Sequence, residues 1–242
     1  AGLMLTEADL PDLPAEVGTL FFGGISLVND PAASTYAALQ ARESATRVTM
    51  IDPNIRPGFI AGKEAPYRAR IEAMIARADI VKLSDEDLHW LMGAGEVEAL
   101  AREILSKGPK VVFITEGAAG ARAITARQNR FVAAQKVTVA DTVGAGDTFN
   151  AGALTALHEA GALTKTRLAA LTDAELDAAL TLGTRAAAGR QFHLMAGNAL
   201  PRSLDPATPL REASGALQAS HQPWLTLEHA DTERQRLLAR RM

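Results

Sequence analysis

Short apolar segments alternate with amphipathic segments along most of the chain. The apolar segments span 19–28, 47–51, 79–84 and 110–117, and a segment with helical spacing lies between each of them and the next. This order is typical of a parallel sheet whose strands are joined by helices. Pro53 and Pro57 follow the second apolar segment and predict that no helix continues through that point. We therefore predict an α/β fold with a mostly parallel central sheet.

The second half of the chain changes pattern twice. Residues 121–137 predict an antiparallel hairpin at the sheet edge, and helical segments follow at 148–161 and 172–189. Gly161 is expected to end the first of these helices, and Thr172 with Glu175 has the spacing of a capping box at the start of the second. From about Gly189 the helical periodicity is lost and prolines become frequent. We predict a domain over residues 1–189 and a divergent, loop-like or poorly ordered tail over residues 190–242.

Composition narrows the class of protein. The chain has 242 residues, of which 48% are apolar and 22% charged, and it has no cysteine and a net charge of −3. These values exclude disulfides, thiolate metal sites and a cysteine nucleophile, and they give no reason to expect nucleic acid or a membrane as a partner. We predict a cytoplasmic protein. The start of the chain has neither a signal-peptide pattern nor an initiator Met, so we expect it to be processed or incomplete there.

The segment 141–152, DTVGAGDTFNAG, is the strongest candidate for chemistry. Gly144 and Gly146 allow a turn whose N–H groups converge on one point, and the helix that starts there adds the positive end of its dipole. Such a turn suits a phosphate, and Asp147 in the first helical turn could accept a proton from an attacking alcohol. Alternatively, Asp147 only caps a helix at a strand–turn–helix joint, and the residues of GAGD alone leave both interpretations open.

This segment resembles the second signature of the ribokinase-like (PfkB) carbohydrate kinases. Four other segments agree in order and spacing, namely FFGGISL, DPNIRP, ADIVKLSDEDL and VVFITEGAAGA. The resemblance runs from about residue 1 to about residue 188 and is strongest to bacterial fructokinases, with 2-keto-3-deoxygluconate kinases close behind. It implies a ribokinase-like three-layer α/β/α sandwich. It also implies an ATP-dependent kinase that phosphorylates a hydroxyl of a ketose, fructose above all.

The resemblance assigns roles within 141–147. Asp147 matches the general base, and Gly144, Ala145 and Gly146 match the anion hole that holds the transferring γ-phosphate while Mg²⁺ offsets its charge. Asp141 matches a residue that helps to bind a monovalent cation such as K⁺, with a turn-forming role as the alternative. By the same resemblance, Thr142 is placed on the nucleotide side of the site.

Three more segments match binding positions of the family. Ser84 and Asp87 match a segment that contacts Mg²⁺ and phosphates, where Asn-x-x-Glu is the commoner form, and a helix N-cap is a compatible alternative. Thr115 and Gly117 match positions that meet the nucleotide phosphates and ribose, or else they serve only the local structure. Arg56 matches an arginine that can bind phosphate or substrate bidentately, and a surface ion pair is its alternative.

Two departures from the family keep other functions open. The first signature, with substrate-binding Asp and Asn residues, and the β-sheet lid over the sugar would lie upstream of residue 1, so we expect the C-terminal majority of such an enzyme. The tail after Gly189 lacks the segment that lines the adenine pocket, through divergence or a change of reading frame. A catalytically silent nucleotide-binding fragment, a 2-keto-3-deoxygluconate kinase and a nucleoside kinase are the alternatives. A small-molecule sugar and ATP are the expected partners, and a homodimer is open because family members often pair through the lid.

Overall fold

The computed structural model describes residues 2–135 and 144–195. Within these residues one sheet has six strands in the order β1-β2-β3-β4-β5-β6. The strands are β1 (Thr19–Gly23), β2 (Val48–Asp52), β3 (Ile80–Ser84), β4 (Val111–Thr115), β5 (Gly120–Ile124) and β6 (Asn129–Ala133). The helices are α1 (Ala32–Glu43), α2 (Pro57–Ile60), α3 (Glu64–Arg77), α4 (Asp85–Met92), α5 (Val97–Ser106), α6 (Ala145–Glu159), α7 (Lys165–Leu168) and α8 (Asp173–Met195). Short 3-10 helices span Gly2–Met4, Glu7–Asp9 and Gly24–Leu27.

The sheet is mostly parallel, as the sequence predicts. Strands β1 to β4 pair in parallel, and β5 and β6 form the expected antiparallel hairpin at one edge. Because β1 to β4 lie side by side in chain order, their connecting helices α1, α3, α4 and α5 pack together on one face of the sheet. Helices α6 and α8, which follow the hairpin, cover the other face. These layers form the three-layer α/β/α sandwich that was predicted.

Side chains of each strand alternate between the two faces of the sheet, so successive residues pack against different helix layers. On β2, Met50 packs towards α6 and α8, whereas Ile51 packs towards the helices of the opposite face. Met50 lies opposite Ile80 of β3, so residues of equal parity on these strands share a face. All five residues of β2 are buried, as expected for a central parallel strand covered on both faces.

Two element boundaries differ from the sequence prediction. The strand predicted over 19–28 ends at Gly23, and a 3-10 helix follows because the chain turns at Gly24 against the carbonyl of Pro53. No helix continues through Pro53 and Pro57, as predicted, and Pro57 starts the short helix α2, where a proline at the first position loses no hydrogen bond. Helix α8 continues through Met195, past the predicted boundary at residue 189. The rest of the predicted tail, 196–242, lies outside the described residues.

The position of α6 is fixed by its close contact with α8. A Cβ atom built at Gly152 would lie 2.7 Å from the carbonyl oxygen of Leu182, and one at Gly183 would lie 2.8 Å from the ring of Phe149. Two glycines therefore let the helices approach at backbone distance. Phe149 in turn packs edge-on against Phe113 of β4, with ring centroids 6.0 Å apart. Helix α6 is thus held against both the sheet and α8.

Candidate active site

Polar residues collect at the carboxyl ends of the parallel strands. Asp52 ends β2, Ser84 ends β3 and Thr115 ends β4, and Ser84 and Thr115 are direct register partners. Ligands in open α/β sheets bind outside this edge. The segments that were predicted to carry the site therefore emerge on the same side of the sheet.

The first turn of α6 has the geometry of an anion site. Its N-cap is Gly144, which adopts a left-handed conformation (φ 78°, ψ 2°) and has no side chain that could cap the helix. The N–H of Thr148 donates to the Gly144 carbonyl at 3.0 Å and makes the first hydrogen bond of the helix. The N–H groups of the residues between them therefore have no partner within the helix. An uncapped helix N-terminus of this kind attracts anions through its amides and its dipole.

Asp147 occupies the third position of α6 and is exposed. It is not the N-cap, and within residues 2–135 and 144–195 its carboxylate accepts no hydrogen bond, so the described contacts do not support a capping role for it. The structure leaves this carboxylate exposed in the first turn of a helix whose N-cap has no side chain.

A buried polar cluster lies directly beneath the turn. Asp52 Oδ2 accepts hydrogen bonds from Lys82 Nζ at 3.1 Å and from Asn150 Nδ2 at 2.7 Å. All three side chains are almost completely buried. A Cβ atom built at Gly146 would lie 3.0 Å from Lys82 Nζ, which places the ammonium against the second residue of α6. The cluster therefore joins the ends of β2 and β3 to the start of α6.

Asp52 also shapes the segment that follows its own strand. Its Oδ1 accepts the N–H of Asn54 at 3.1 Å, and Asn54 takes the left-handed conformation with φ 43°. Next to it the carbonyl of Pro53 accepts the hydroxyl of the buried Tyr67 at 3.1 Å. Burial raises the pKa of Tyr67, and the nearby Asp87 and Asp52 carboxylates add to the effect. Tyr67 therefore keeps its proton for this bond.

Ser84 and Asp87 form a capping box at the start of α4. Ser84 Oγ accepts the Asp87 N–H at 3.0 Å, and the Asp87 carboxylate accepts the N–H groups of Ser84 at 3.3 Å and Ile55 at 2.9 Å. Burial raises the pKa of Asp87, against the opposing effect of these hydrogen bonds. Because Asp87 is 3% exposed and both its oxygens accept amides, its carboxylate fixes the 52–56 segment rather than facing solvent.

Arg56, Thr115 and Gly117 remain at the accessible rim of this edge. Arg56 is exposed, donates to the carbonyl of Ile55 at 3.0 Å, and forms no salt bridge with a carboxylate of the described residues. Thr115 is half-buried at the end of β4. Gly117 is exposed with φ 54°, and a Cβ atom there would meet nothing within 4 Å. These positions are open to a ligand.

Two predicted residues, Asp141 and Thr142, lie outside the described residues. Within the part of the chain that the structure describes, no group of three His, Asp or Glu side chains could hold a metal ion. No helix in that same part is both long and apolar enough to cross a membrane.

Sequence patterns did not identify Asp52, Lys82 and Asn150 as site residues. One signal was available, because Lys82 interrupts an otherwise apolar strand, and a lysine at a buried strand position requires a partner. The partner itself could be named only from the register of β2 and β3, since Asp52 and Lys82 are separated by 30 residues.

Comparison with known proteins identifies the family of this chain. The family model "pfkB family carbohydrate kinase" matches residues 4–195. A fructokinase from Rhizobium leguminosarum bv. trifolii is 51% identical over 176 residues, which is 73% of this chain and 54% of that protein. A fructokinase from Klebsiella pneumoniae is 35% identical over 163 residues, which is 66% of this chain and 52% of that protein. The chain spans about half the length of these curated relatives.

Solved structures share the same fold. The fructokinase double mutant of Vibrio cholerae O395, bound to fructose, ADP and potassium ion, matches 78% of this chain and 58% of its own chain with a TM-score of 0.68 and 25% identity. Aminoimidazole riboside kinase from Salmonella enterica matches 78% of this chain and 61% of its own, with a TM-score of 0.65 and 26% identity. From the match of the family model to residues 4–195, together with this fold, it follows that the chain belongs to the pfkB family of carbohydrate kinases.

Proposed function

We propose that the protein transfers the γ-phosphate of ATP to a hydroxyl group of a ketose, with fructose as the favoured substrate. The observation that carries this proposal is the exposed Asp147 in the first turn of a helix whose N-cap, Gly144, has no side chain to cap its amides. The fructokinases among its relatives support the choice of sugar.

The chemistry needs a binder for the transferring phosphate and an acceptor for the proton of the hydroxyl group. The amides of Ala145, Gly146 and Asp147 would donate to the phosphoryl oxygens, and the dipole of α6 would add to this stabilisation as charge spreads over those oxygens. The Asp147 carboxylate would accept the proton as the hydroxyl oxygen attacks the phosphorus in line with the leaving oxygen. Gly144 serves as an N-cap in the left-handed conformation, which glycine adopts without steric cost.

Other residues at the same edge would hold the two substrates. Arg56 is exposed and free of carboxylate partners among the described residues, which suits an anionic group of ATP or substrate. Thr115 and Gly117 offer an open rim on the nucleotide side. Asp87 would act on the site through Ile55 and the neighbouring Arg56, not by direct contact.

Mg²⁺ would be held mainly by the phosphates of ATP, since it commonly needs only one or two protein carboxylates. Within the described residues no group of three acidic or histidine side chains could hold a metal ion, and the carboxylate of Asp87 accepts backbone amides. Asp141, the proposed cation ligand, lies outside the described residues. Both ions therefore remain predictions, as do the cytoplasmic location and the homodimer.

A coupled ADP-release assay tests the proposal. The chain is assayed with fructose, ribose, 2-keto-3-deoxygluconate and aminoimidazole riboside, and turnover with fructose is expected to be highest. Asp147→Asn should lower kcat by about 10²–10⁴-fold, the typical contribution of a general base, while the affinity for ATP changes little. Asp173→Asn is the matched control, because it also removes an exposed first-turn carboxylate, from α8.

The outcomes separate the alternatives. If turnover is highest with 2-keto-3-deoxygluconate, that sugar acid is the substrate in place of fructose. ATP binding without turnover on any sugar would favour a silent nucleotide-binding fragment. Near-normal kcat in Asp147→Asn would refute the assignment of the base.

A further inference from the structure

Lys82 is a buried lysine on a strand whose other residues are mostly apolar. It is 4% exposed, and within the described residues its Nζ has one hydrogen-bond partner, Asp52 Oδ2 at 3.1 Å. Burying an ammonium is unfavourable unless a carboxylate compensates it, and replacing such a pair by neutral residues is often harmless to stability. The presence of the pair therefore calls for a reason other than stability.

The ammonium lies on the inner side of the α6 turn. A Cβ atom at Gly146 would lie 3.0 Å from Lys82 Nζ, so the positive charge is adjacent to the second residue of the helix. A cation at a helix N-terminus opposes the helix dipole and destabilises the helix itself. An anion bound in front of the same turn would reverse this balance, because both the dipole and the ammonium would then attract it.

The negative charge of Asp52 is shared among several donors. It accepts from Lys82, from Asn150 Nδ2 at 2.7 Å and from the N–H of Asn54 at 3.1 Å. Asn150 Oδ1 is buried and has no hydrogen-bond partner among the described residues. An unsatisfied buried acceptor is rare and costly, so this network is not optimised for stability alone.

We propose that Lys82 is a positioning residue for the anion site: from the buried side its ammonium supports a phosphate bound at the first turn of α6 and fixes that turn through Asp52 and Asn150. This inference rests on the proposed phosphate-binding role of the turn.

The test removes the ion pair without leaving an unpaired buried charge. In the double variant Asp52→Asn/Lys82→Met, the asparagine keeps an acceptor for Asn54, and methionine has a length similar to that of lysine. The matched control is Asp79→Asn/Lys165→Met, an ion pair at the amino-terminal end of β3 and so at the opposite end of the strands. Asp79 is also buried, and it accepts Lys165 Nζ at 2.7 Å and the N–H of Thr49 at 2.9 Å.

The probe is inorganic phosphate added to the ¹⁵N-labelled chain, with the Gly146 amide resonance as the readout. We expect the apparent Kd for phosphate to rise by roughly 10-fold or more in the Lys82 double variant and to stay within about 2-fold in the control. With sugar and ATP, kcat should fall by about 10-fold or more in the Lys82 variant while KM for the sugar changes little, because the support acts on the transferring phosphate.

A measurement on the unmodified chain covers the case in which the variant does not fold. The ¹⁵Nζ resonance of Lys82 should shift together with the Gly146 amide as phosphate is added, whereas that of Lys165 should not. A phosphate-insensitive Lys82, or equal phosphate affinity in both folded double variants, would overturn the inference. Phosphate affinity that depends on Lys82 in a chain without sugar turnover would support the inference and refute the proposed function. If the wild-type chain phosphorylates the sugar and the Lys82 double variant has a normal kcat, the proposed function is supported and the role of Lys82 is refuted.

Discussion

Replacing Gly24 by alanine tests how the end of β1 is packed against the segment that follows β2. A Cβ atom at Gly24 would lie 1.5 Å from the carbonyl oxygen of Pro53 and 2.3 Å from its carbonyl carbon. Nonbonded heavy atoms attract at about 3.5 Å, so the two backbones would have to separate by roughly 2 Å. Because both partners are backbone, no side-chain rotation can relieve the contact.

The expected loss of stability has two parts. Overpacking of this kind costs about 1–3 kcal/mol. Moving the Pro53 carbonyl also breaks its hydrogen bond with the buried Tyr67 hydroxyl, which leaves an unsatisfied group at a further cost of about 1–3 kcal/mol. The free energy of unfolding should therefore fall by about 2–6 kcal/mol.

Gly23→Ala provides the control at the neighbouring position. Gly23 has φ −92° and ψ 144°, and the nearest atom to an added Cβ is Phe21 Cε1 at an ordinary 3.6 Å. Alanine there should be neutral or stabilise by about 0.4–1 kcal/mol through a less flexible unfolded chain. Urea unfolding followed by circular dichroism measures both variants. A Gly24→Ala protein whose unfolding free energy lies within about 1 kcal/mol of that of Gly23→Ala would refute the packing argument.

Two further predictions concern the hydroxyl of Tyr67 and the contact between α6 and α8. Tyr67→Phe should lower the unfolding free energy by about 1–2 kcal/mol at pH 7, because the Pro53 carbonyl loses its donor. Burial raises the pKa of Tyr67, so above about pH 10 the unfolded chain releases a proton that the folded chain keeps, and the difference between wild type and variant should shrink; a difference that widens would contradict this. Gly152→Ala should cost about 1–3 kcal/mol, because its Cβ would lie 2.7 Å from the Leu182 carbonyl oxygen. Gly58→Ala has open space and is the control, and equal melting temperatures for these two variants would contradict the close helix contact.

Local patterns were sufficient wherever an element depends on its own residues. The apolar segment at 110–117 contains β4, and the antiparallel hairpin of β5 and β6 begins one residue before the predicted range 121–137. The capping box of Thr172 and Glu175 is confirmed, since the Glu175 carboxylate accepts the Thr172 N–H at 2.8 Å and the Glu175 N–H donates to the Thr172 hydroxyl. These features were predictable because their interactions join residues only a few positions apart.

Boundaries were less predictable where an apolar pattern continues through a change of conformation. Apolar residues occur on both sides of Gly23 and Gly24 within 19–28, yet the strand ends at Gly23, and Leu27 is buried in a 3-10 helix instead. A short apolar segment indicates burial, and burial alone does not distinguish a strand from a buried turn. Helix α8 likewise continues over residues 190–195, past the point where the sequence loses its helical periodicity.

By itself, the sequence determined the fold class and predicted the turn at Gly144–Asp147, because strand periodicity and glycine content are local properties. The resemblance to the carbohydrate kinases predicted roles for Arg56, Thr115 and Gly117, which stay predictions. Tertiary structure alone decided what lies beneath that turn. Asp52, Lys82 and Asn150 come from two strands and a helix. The first two meet because the parallel register that pairs Ile51 with Val81 brings the next residues of the two strands together, and the glycine contacts with α8 hold the helix that carries the third. Register and helix packing depend on the whole chain, so no short segment contains them.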